Sequence, residues 1–306
     1  MALIVMLTGR FHMSKRDVMA LVKDLYDIDT SEGSVINIEK IATEALDEVY
    51  ERIHRFVIQG LMPRYFDETS WRDSGKRHYV WIATNELAAF YQIDARRSQE
   101  ALLKIVGTHT KVACVTDRYS AYNAIDGPRQ YCLAHLIRDF HAFAEQEGET
   151  GEIAAKIENE LRKACKIDGD SRKGEISRRQ RGQRLAHSKR RLSELFLDAI
   201  AFGSKKLEDF CWRLDDEFDR LWTFASVEGM EPTNNLAERD LRKIVLWRNK
   251  SYGTRSEGGK RFVERITSVV ETVKKSGNNI LNFLEEALDA FFQKKSAPFI
   301  NPIWGF

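Results

Sequence analysis

The sequence predicts an α/β protein: a mixed sheet with its middle buried, preceded by helices and interrupted by more of them. Three observations carry this. From Arg64 onward, "RYFDETSW", "RHYVWIAT" and "AAFYQIDA" are short runs rich in aromatic and β-branched residues, with the Ser-Gly turn signal of "RDSGK" between the first two. Further on, "KVACVT" has the apolar composition of a central strand covered on both faces. Outside this block, apolar residues recur at helical spacing.

The first sixty residues read as helical. "MALIVML" is short, lacks a basic leader and runs into "TGRFHMSKR", so it reads as the buried start of a helix and not as a signal peptide or anchor. "SKRDVMALVKDLYDI" places Val18, Leu21, Val22 and Leu25 on one face, with Ser14 as its cap. A second helix is read across "DTSEGSVINIEKIATEALDEVYERIHRFV". The pair is either a DNA-binding helix-turn-helix or a plain helical hairpin, and the excess of acid on the second helix counts against the former.

The three aromatic runs read as an antiparallel meander, followed by the helix "SQEALLKIVG". "KVACVT" then ends at Asp117 in "DRYSAY", and "RQYCLAHLIRDFHAFAEQ" reads as a strand leading into a helix. From about residue 148 to 228 the alternation stops and three helical segments form an insertion. The last, "KKLEDFCWRLDDEFDRLWTFA", carries an unbroken stripe of Leu207, Phe210, Cys211, Leu214, Phe218, Leu221, Trp222 and Ala225. The helix begun by "PTNNLAERDLRK" follows, then a basic loop, "WRNKSYGTRSEGGKR", two amphipathic helices, and the tail "KKSAPFINPIWGF".

Bulk properties narrow the function. The 306 residues suggest about two modules, and 43% hydrophobic with 31% charged residues is an ordinary soluble composition. A net charge of +2 and a pI near 8.2 mean that any nucleic-acid surface must come from local clustering. Cys114, Cys132, Cys165 and Cys211 are scattered, as in a reduced, cytoplasmic protein. No run reaches the roughly 18 to 20 apolar residues that span a bilayer, so no membrane partner is expected.

Three carboxylates stand out. Asp67 lies inside a strand that otherwise reads as core, and Asp117 at the end of another. Glu238 sits at the border of the apolar stripe Ala237, Leu241, Ile244 and Val245, with Asn234 and Arg242 one turn away on either side. Acids so placed need a strong partner. A cap or salt bridge is the common solution. The other is a pair of Mg²⁺ ions, which prefer carboxylate oxygens and, set about 3.5–4 Å apart, serve phosphoryl transfer.

Taken together, "FDETSWRDSGKRHYVWIAT", "VTDRYSAYN", "CLAHLIRDF" and "EPTNNLAERDLRKIVLWRNKSYGTRSEGG" closely resemble the IS66 family of bacterial insertion-sequence transposases, in order from about residue 8 to residue 292. The "TNNLAER" block is the specific part. The resemblance implies a DDE transposase with an RNase H-like core interrupted before its last acid. Asp67, Asp117 and Glu238 match the family's catalytic, metal-binding acids, served by two Mg²⁺ ions with Mn²⁺ as substitute. It further implies domains at 1–60 (helical N-terminal module), 61–147 (core, first part), 148–228 (helical insertion), 229–275 (core with the last acid) and 276–306 (C-terminal helix and tail). Full-length members carry an N-terminal coiled coil and a cysteine-rich zinc module; neither appears here.

The implied partners are double-stranded DNA (element ends and target), a homodimer or larger assembly on DNA, and element-encoded accessory proteins, in a cytoplasmic, nucleoid-associated setting. Asn235, Arg239, Arg242, Lys243, Arg248, Lys250, Arg255, Lys260 and Arg261 are placed to hold DNA phosphates. Trp247 and Tyr252 suit base stacking or core packing. "SRKGEISRRQRGQRLAHSKRR" in the insertion reads either as an exposed helix or as a nonspecific DNA contact. His135 matches a family position and is a candidate for active-site support, or a structural imidazole. Cys132 with His135 alone makes a poor zinc site. The alternatives to a transposase are a non-catalytic DNA-binding relative that regulates transposition, and an RNase H-like nuclease without strand transfer.

Overall fold

A computed structural model describes residues 1–300. It divides into two compact units, one formed by Met1–Thr110 with the chain from Leu236 onward, the other by Lys111–Asn235. The first unit opens with helices α1 (Ala2–Gly9), α2 (Lys15–Tyr26), α3 (Glu32–Ala45) and α4 (Asp47–Gln59). Strands β1 (Arg64–Asp73), β2 (Lys76–Thr84) and β3 (Ala89–Asp94) follow, then α5 (Gln99–Val106). The second unit holds β4 (Cys114–Thr116), β5 (Arg129–Tyr131), α6 (Leu133–Ala144), α7 (Glu149–Arg172), α8 (Arg178–Phe202), α9 (Lys205–Asp215) and the short α10 (Thr223–Ser226). The chain then returns to the first unit with α11 (Asn235–Ser251), α12 (Glu257–Lys275) and α13 (Ile280–Phe292). Strands and helices thus give the mixed α/β class expected.

In the first unit β1, β2 and β3 form the antiparallel meander, with Asp67 opposite Ile82 and Ile82 opposite Tyr91. Ser74 and Gly75, at φ 51° and 77°, make the two-residue turn, whose positive φ at both positions matches the right-handed twist of the strands. β3 is covered on its open side by α12. Glu264, Ser268 and Thr272, one helical turn apart, accept hydrogen bonds from the amides of Ile93 (2.7 Å), Tyr91 (2.9 Å) and Ala89 (3.1 Å). Alternate amides of a strand point the same way, so one polar stripe on a helix satisfies the whole edge. Burial raises the Glu264 carboxyl above its ordinary range, while the Ile93 amide pulls it down.

In the second unit β4 and β5 run parallel, Cys114 opposite Arg129. The helices pack through Phe140, Phe196 and Phe210, with Phe140 and Phe210 edge-on at 5.3 Å. α7 and α8 form a long antiparallel hairpin, its second arm started by a capping box of Ser177 and Gln180.

Four local expectations differ from the structure. The second N-terminal helix is two, α3 and α4, broken at the fully buried Leu46 (φ −93°, ψ −4°). The stripe that starts at Leu207 does not continue as one helix. α9 ends at Asp215 and a 3₁₀ turn spans Phe218–Leu221; between them the Glu217 carboxylate accepts from the hydroxyl of Tyr131 and from Arg220. Of "KVACVT", only Cys114–Thr116 is strand. The basic loop is shorter than read, since α11 runs to Ser251 and α12 begins at Glu257. Residues Lys295 to Ile300 of the tail are irregular; the rest of it lies outside the described residues.

Candidate active site

Asp67 is half-buried on β1, and its Oδ1 accepts the Glu68 amide at 2.9 Å. Successive strand residues face opposite ways, so Glu68 points to the other face. There its carboxylate, 1% exposed, takes both Nε (2.7 Å) and a terminal nitrogen (2.6 Å) of Arg97. Residues of Asp67's parity face α11 and the loop after it. Thr69 Oγ1 lies 3.4 Å from an Arg248 nitrogen, and Trp71 Nε1 donates to Thr254 Oγ1 at 3.1 Å.

Two tie points set the register of α11 on that face. Asp240, 6% exposed, accepts the hydroxyl of Thr84 at 2.8 Å, and Thr84 is the β2 partner of Tyr65. Eight residues on, Arg248 donates to the carbonyl and hydroxyl oxygens of Ser70, both at 2.6 Å. Along β1, Asp67 therefore lies between the two tie points. Glu238 itself is half-buried, two residues before Asp240, at the border of the buried stripe Ala237, Leu241 and Ile244. Lys275 completes the anchor, its ammonium 2.8 Å from Asp240 and 2.9 Å from the carbonyl of Asn85.

The loop after α11 is pressed onto the end of β1. Thr254 exchanges backbone hydrogen bonds with Arg72 and Ser74, each 2.8 Å. Gly253, at φ +99°, permits this approach; a Cβ there would meet the Arg72 carbonyl oxygen at 2.0 Å.

In the second unit, Asp117 is half-buried directly after β4, and its Oδ1 accepts the Tyr119 amide at 2.8 Å, an Asx turn. Cys132 precedes α6, and His135 is half-buried in that helix's first turn. The Cys132 sulfur accepts the Asn234 amide at 3.1 Å, while Leu133 donates to the Pro232 carbonyl at 2.9 Å. The "PTNN" segment is thus stitched to the start of α6, which explains its fully buried Asn234.

The basic residues after Glu238 divide by environment. Asn235, Arg239, Arg242, Lys250 and Arg255 are exposed and Lys243 is half-buried. Arg248 is the anchor on Ser70, Lys260 pairs with Glu257 at 2.7 Å, and Arg261 reaches Asp47 at 3.3 Å. Trp247 is core, edge-on to Trp71 and Phe262; Tyr252 is 80% exposed. Sequence reasoning missed His12, which stacks flat on Trp247 at 4.4 Å. Burial, with Lys250 and Lys243 adding, pushes its pKa down to about 4, so the stacked ring is neutral at pH 7. It lines a cleft of about 1050 Å³ in the first unit, between α2–α3 and the loop beyond α11.

Hard divalent cations prefer oxygen donors, and each of the motif acids Asp67, Asp117 and Glu238 offers them. The acids next to two of them are committed elsewhere, Glu68 to Arg97 and Asp240 to Lys275. Oxygen donors of this kind are the ones a magnesium-type ion takes.

The chain belongs to the IS66 transposase family: the family model described as "Transposase IS66 family" matches residues 1–261. It is also similar to an uncharacterized protein, y4qI, of Sinorhizobium fredii (strain NBRC 101917 / NGR234), with 24% identity over 301 residues, covering 88% of this chain and 54% of that protein. The chain thus spans about half the length of this curated relative. Among the described residues no helix is long and apolar enough to cross a membrane.

Proposed function

We propose that this chain is a DDE transposase that cuts DNA at the ends of an insertion sequence and joins them to a target, with Asp67, Asp117 and Glu238 as its catalytic acids. The observation that carries the reading is the family match together with the division of acids on β1 and α11. In each element the motif acid is half-buried while its neighbour is bound to a lysine or arginine.

The three carboxylates would hold two Mg²⁺ ions, or Mn²⁺ in their place, which when bound supply charge neutralisation for phosphoryl transfer. The chain's own residues position and orient. The Glu68 and Tyr119 amides fix the Asp67 and Asp117 carboxylates, and the Asp240–Lys275 and Arg248–Ser70 ties hold the helix bearing Glu238. Arg239, Arg242, Lys243, Lys250 and Arg255 engage phosphates, with Asn235 beside them. Lys260, Arg261 and Arg248 serve this surface by fixing the elements that carry it. Hydrolysis of one phosphodiester leaves a 3′-hydroxyl, and that hydroxyl displaces a strand of target DNA, so each step exchanges one P–O bond for another. No side-chain nucleophile is needed. The reading takes 61–147 and 229–275 as an RNase H-like core, 148–228 as its helical insertion, 1–60 as an N-terminal module and 276–306 as the C-terminal end. His135 is its candidate support residue, and a dimer on DNA its working form.

To test it, the full chain is incubated with labelled element-end duplex and a target plasmid, with Mg²⁺ or Mn²⁺. Metal-dependent nicking and a joined donor–target product are expected from the wild type, and neither from Asp67→Asn, Asp117→Asn or Glu238→Gln. Nicking without the joined product points to a nuclease, and salt-sensitive binding without nicking to a regulatory relative.

A further inference from the structure

We propose that the outer face of the α7–α8 hairpin is a second DNA-binding surface, one that grips the phosphate backbone of duplex DNA without reading sequence. The inference rests on the DNA-processing function proposed above and gives the helical insertion a role in it.

The hairpin sorts its charges. Its buried acids point inward and are paired. Asp168, 3% exposed, binds Arg172 and Arg181, both at 2.7 Å. Glu160 takes the hydroxyl of Ser188 across the seam and Lys163 at 3.2 Å, and Glu158 takes Arg162 at 2.7 Å. The seam contacts Glu160–Ser188 and Asp168–Arg181 fix the register, which sets Lys163 and Lys166 of α7 beside Arg184 and His187 of α8. These four line one open groove of about 510 Å³, floored by Ile167. Arg190 and Arg191 extend the row along the exposed side of α8. Asp170 is the acid of the groove and is bound to Lys166 at 2.8 Å.

Two rows of cations on antiparallel rods, roughly 8–10 Å apart as packed helices are, present charge along a line. Between Arg172 and Arg191 the sequence adds Lys173, Arg178, Arg179 and Lys189, against Glu175. The segment from Glu149 to Leu195 contains no Phe, Tyr or Trp. Single-strand binding relies on aromatic stacking of unpaired bases. A cationic groove without aromatics suits a partner that shows only phosphates, which is a base-paired duplex.

The test is the salt dependence of binding by the full chain to a labelled duplex of arbitrary sequence, from about 50 to 200 mM salt. Each phosphate contact contributes about 0.9 to the slope of log affinity against log salt. The variant Lys163→Gln/Lys166→Gln/Arg184→Gln/Arg190→Gln is expected to lower the slope by about 3.6, and Arg184→Lys to leave it unchanged. The four positions are exposed, so the variant should keep its urea midpoint. An unchanged slope in the quadruple variant overturns the inference. So does a loss seen with single-stranded DNA but not with duplex, or with anionic phospholipid vesicles but not with duplex. The catalytic reading fails separately, if the wild type binds duplex but never nicks it with Mg²⁺ or Mn²⁺. A quadruple variant that nicks normally with unaltered slope leaves that reading standing and removes this one.

Discussion

β1 and α11 each carry two acids close together, and they separate them by different geometry. The strand does it by alternation: Asp67 and Glu68 are adjacent and face opposite sides. The helix does it by rotation, about 200° between Glu238 and Asp240. In both, one acid is drawn into packing, Glu68 by Arg97 and Asp240 by Lys275 and Thr84. The other, Asp67 on the strand and Glu238 on the helix, is half-buried. Two carboxylates in one motif are therefore not interchangeable. One holds the element in place, and its neighbour is held in place by that element.

The joint between the two elements is the most sensitive place to disturb. Gly253→Ala forces a Cβ onto the Arg72 carbonyl at a φ that disfavours side chains, and a loss of about 3 kcal/mol or more is expected in urea unfolding. Asp240→Ala leaves the Lys275 ammonium, 12% exposed, without its carboxylate and should cost about 3 kcal/mol. Glu238→Gln, two residues away, should change stability by less than about 1 kcal/mol. Glu68→Gln is expected to cost about 1–2 kcal/mol, less than Asp240→Ala because Arg97 is 42% exposed and can be rehydrated. A larger loss from Glu238→Gln than from Asp240→Ala would reverse the assignment of roles.

A modest effect is expected in pH. The folded pKa of His12, about 4, lies below its unfolded value of 6.5. The unfolded chain therefore binds a proton first, and the His12 contribution is whole above pH 6.5 and declines as pH falls toward 4. Discounted for partial exposure, the loss is about 1 kcal/mol across that window. Stability curves of wild type and His12→Gln are expected to converge by that amount between the two pH values; parallel curves would show that the stacked ring titrates normally.

Much of this architecture was legible because it is local. The meander shows in its aromatic and β-branched runs, its turn in Ser-Gly, and the cap of α2 in Ser14, whose hydroxyl oxygen accepts the Asp17 amide. What could not be read depends on partners remote in sequence. Nothing in "TEALDEV" marks Leu46 as a break, and the partner that Glu217 finds where its helical region stops, Tyr131, lies 86 residues away. The same holds at the site. Asp67, Asp117 and Glu238 stand out by motif, but the commitments of Glu68 and Asp240 need Arg97 and Lys275. The basic cluster after Glu238 looked uniform, yet Arg248, Lys260 and Arg261 are tied to Ser70, Glu257 and Asp47. His12 on Trp247 joins the first loop to the motif helix, a contact no periodicity announces.

The most direct measurement compares Mg²⁺-dependent nicking of element-end duplex by Asp67→Asn, Asp117→Asn and Glu238→Gln with that by Glu68→Gln and Asp240→Asn, each below its own melting point. The expected result is a loss of at least about a thousandfold in the first three, equivalent to roughly 4 kcal/mol of barrier, with urea midpoints close to wild type. In Glu68→Gln and Asp240→Asn, activity should fall only in step with the folded fraction. Wild-type nicking by any of the first three, or activity lost from Asp240→Asn while it remains fully folded, would contradict the division of labour between the paired acids.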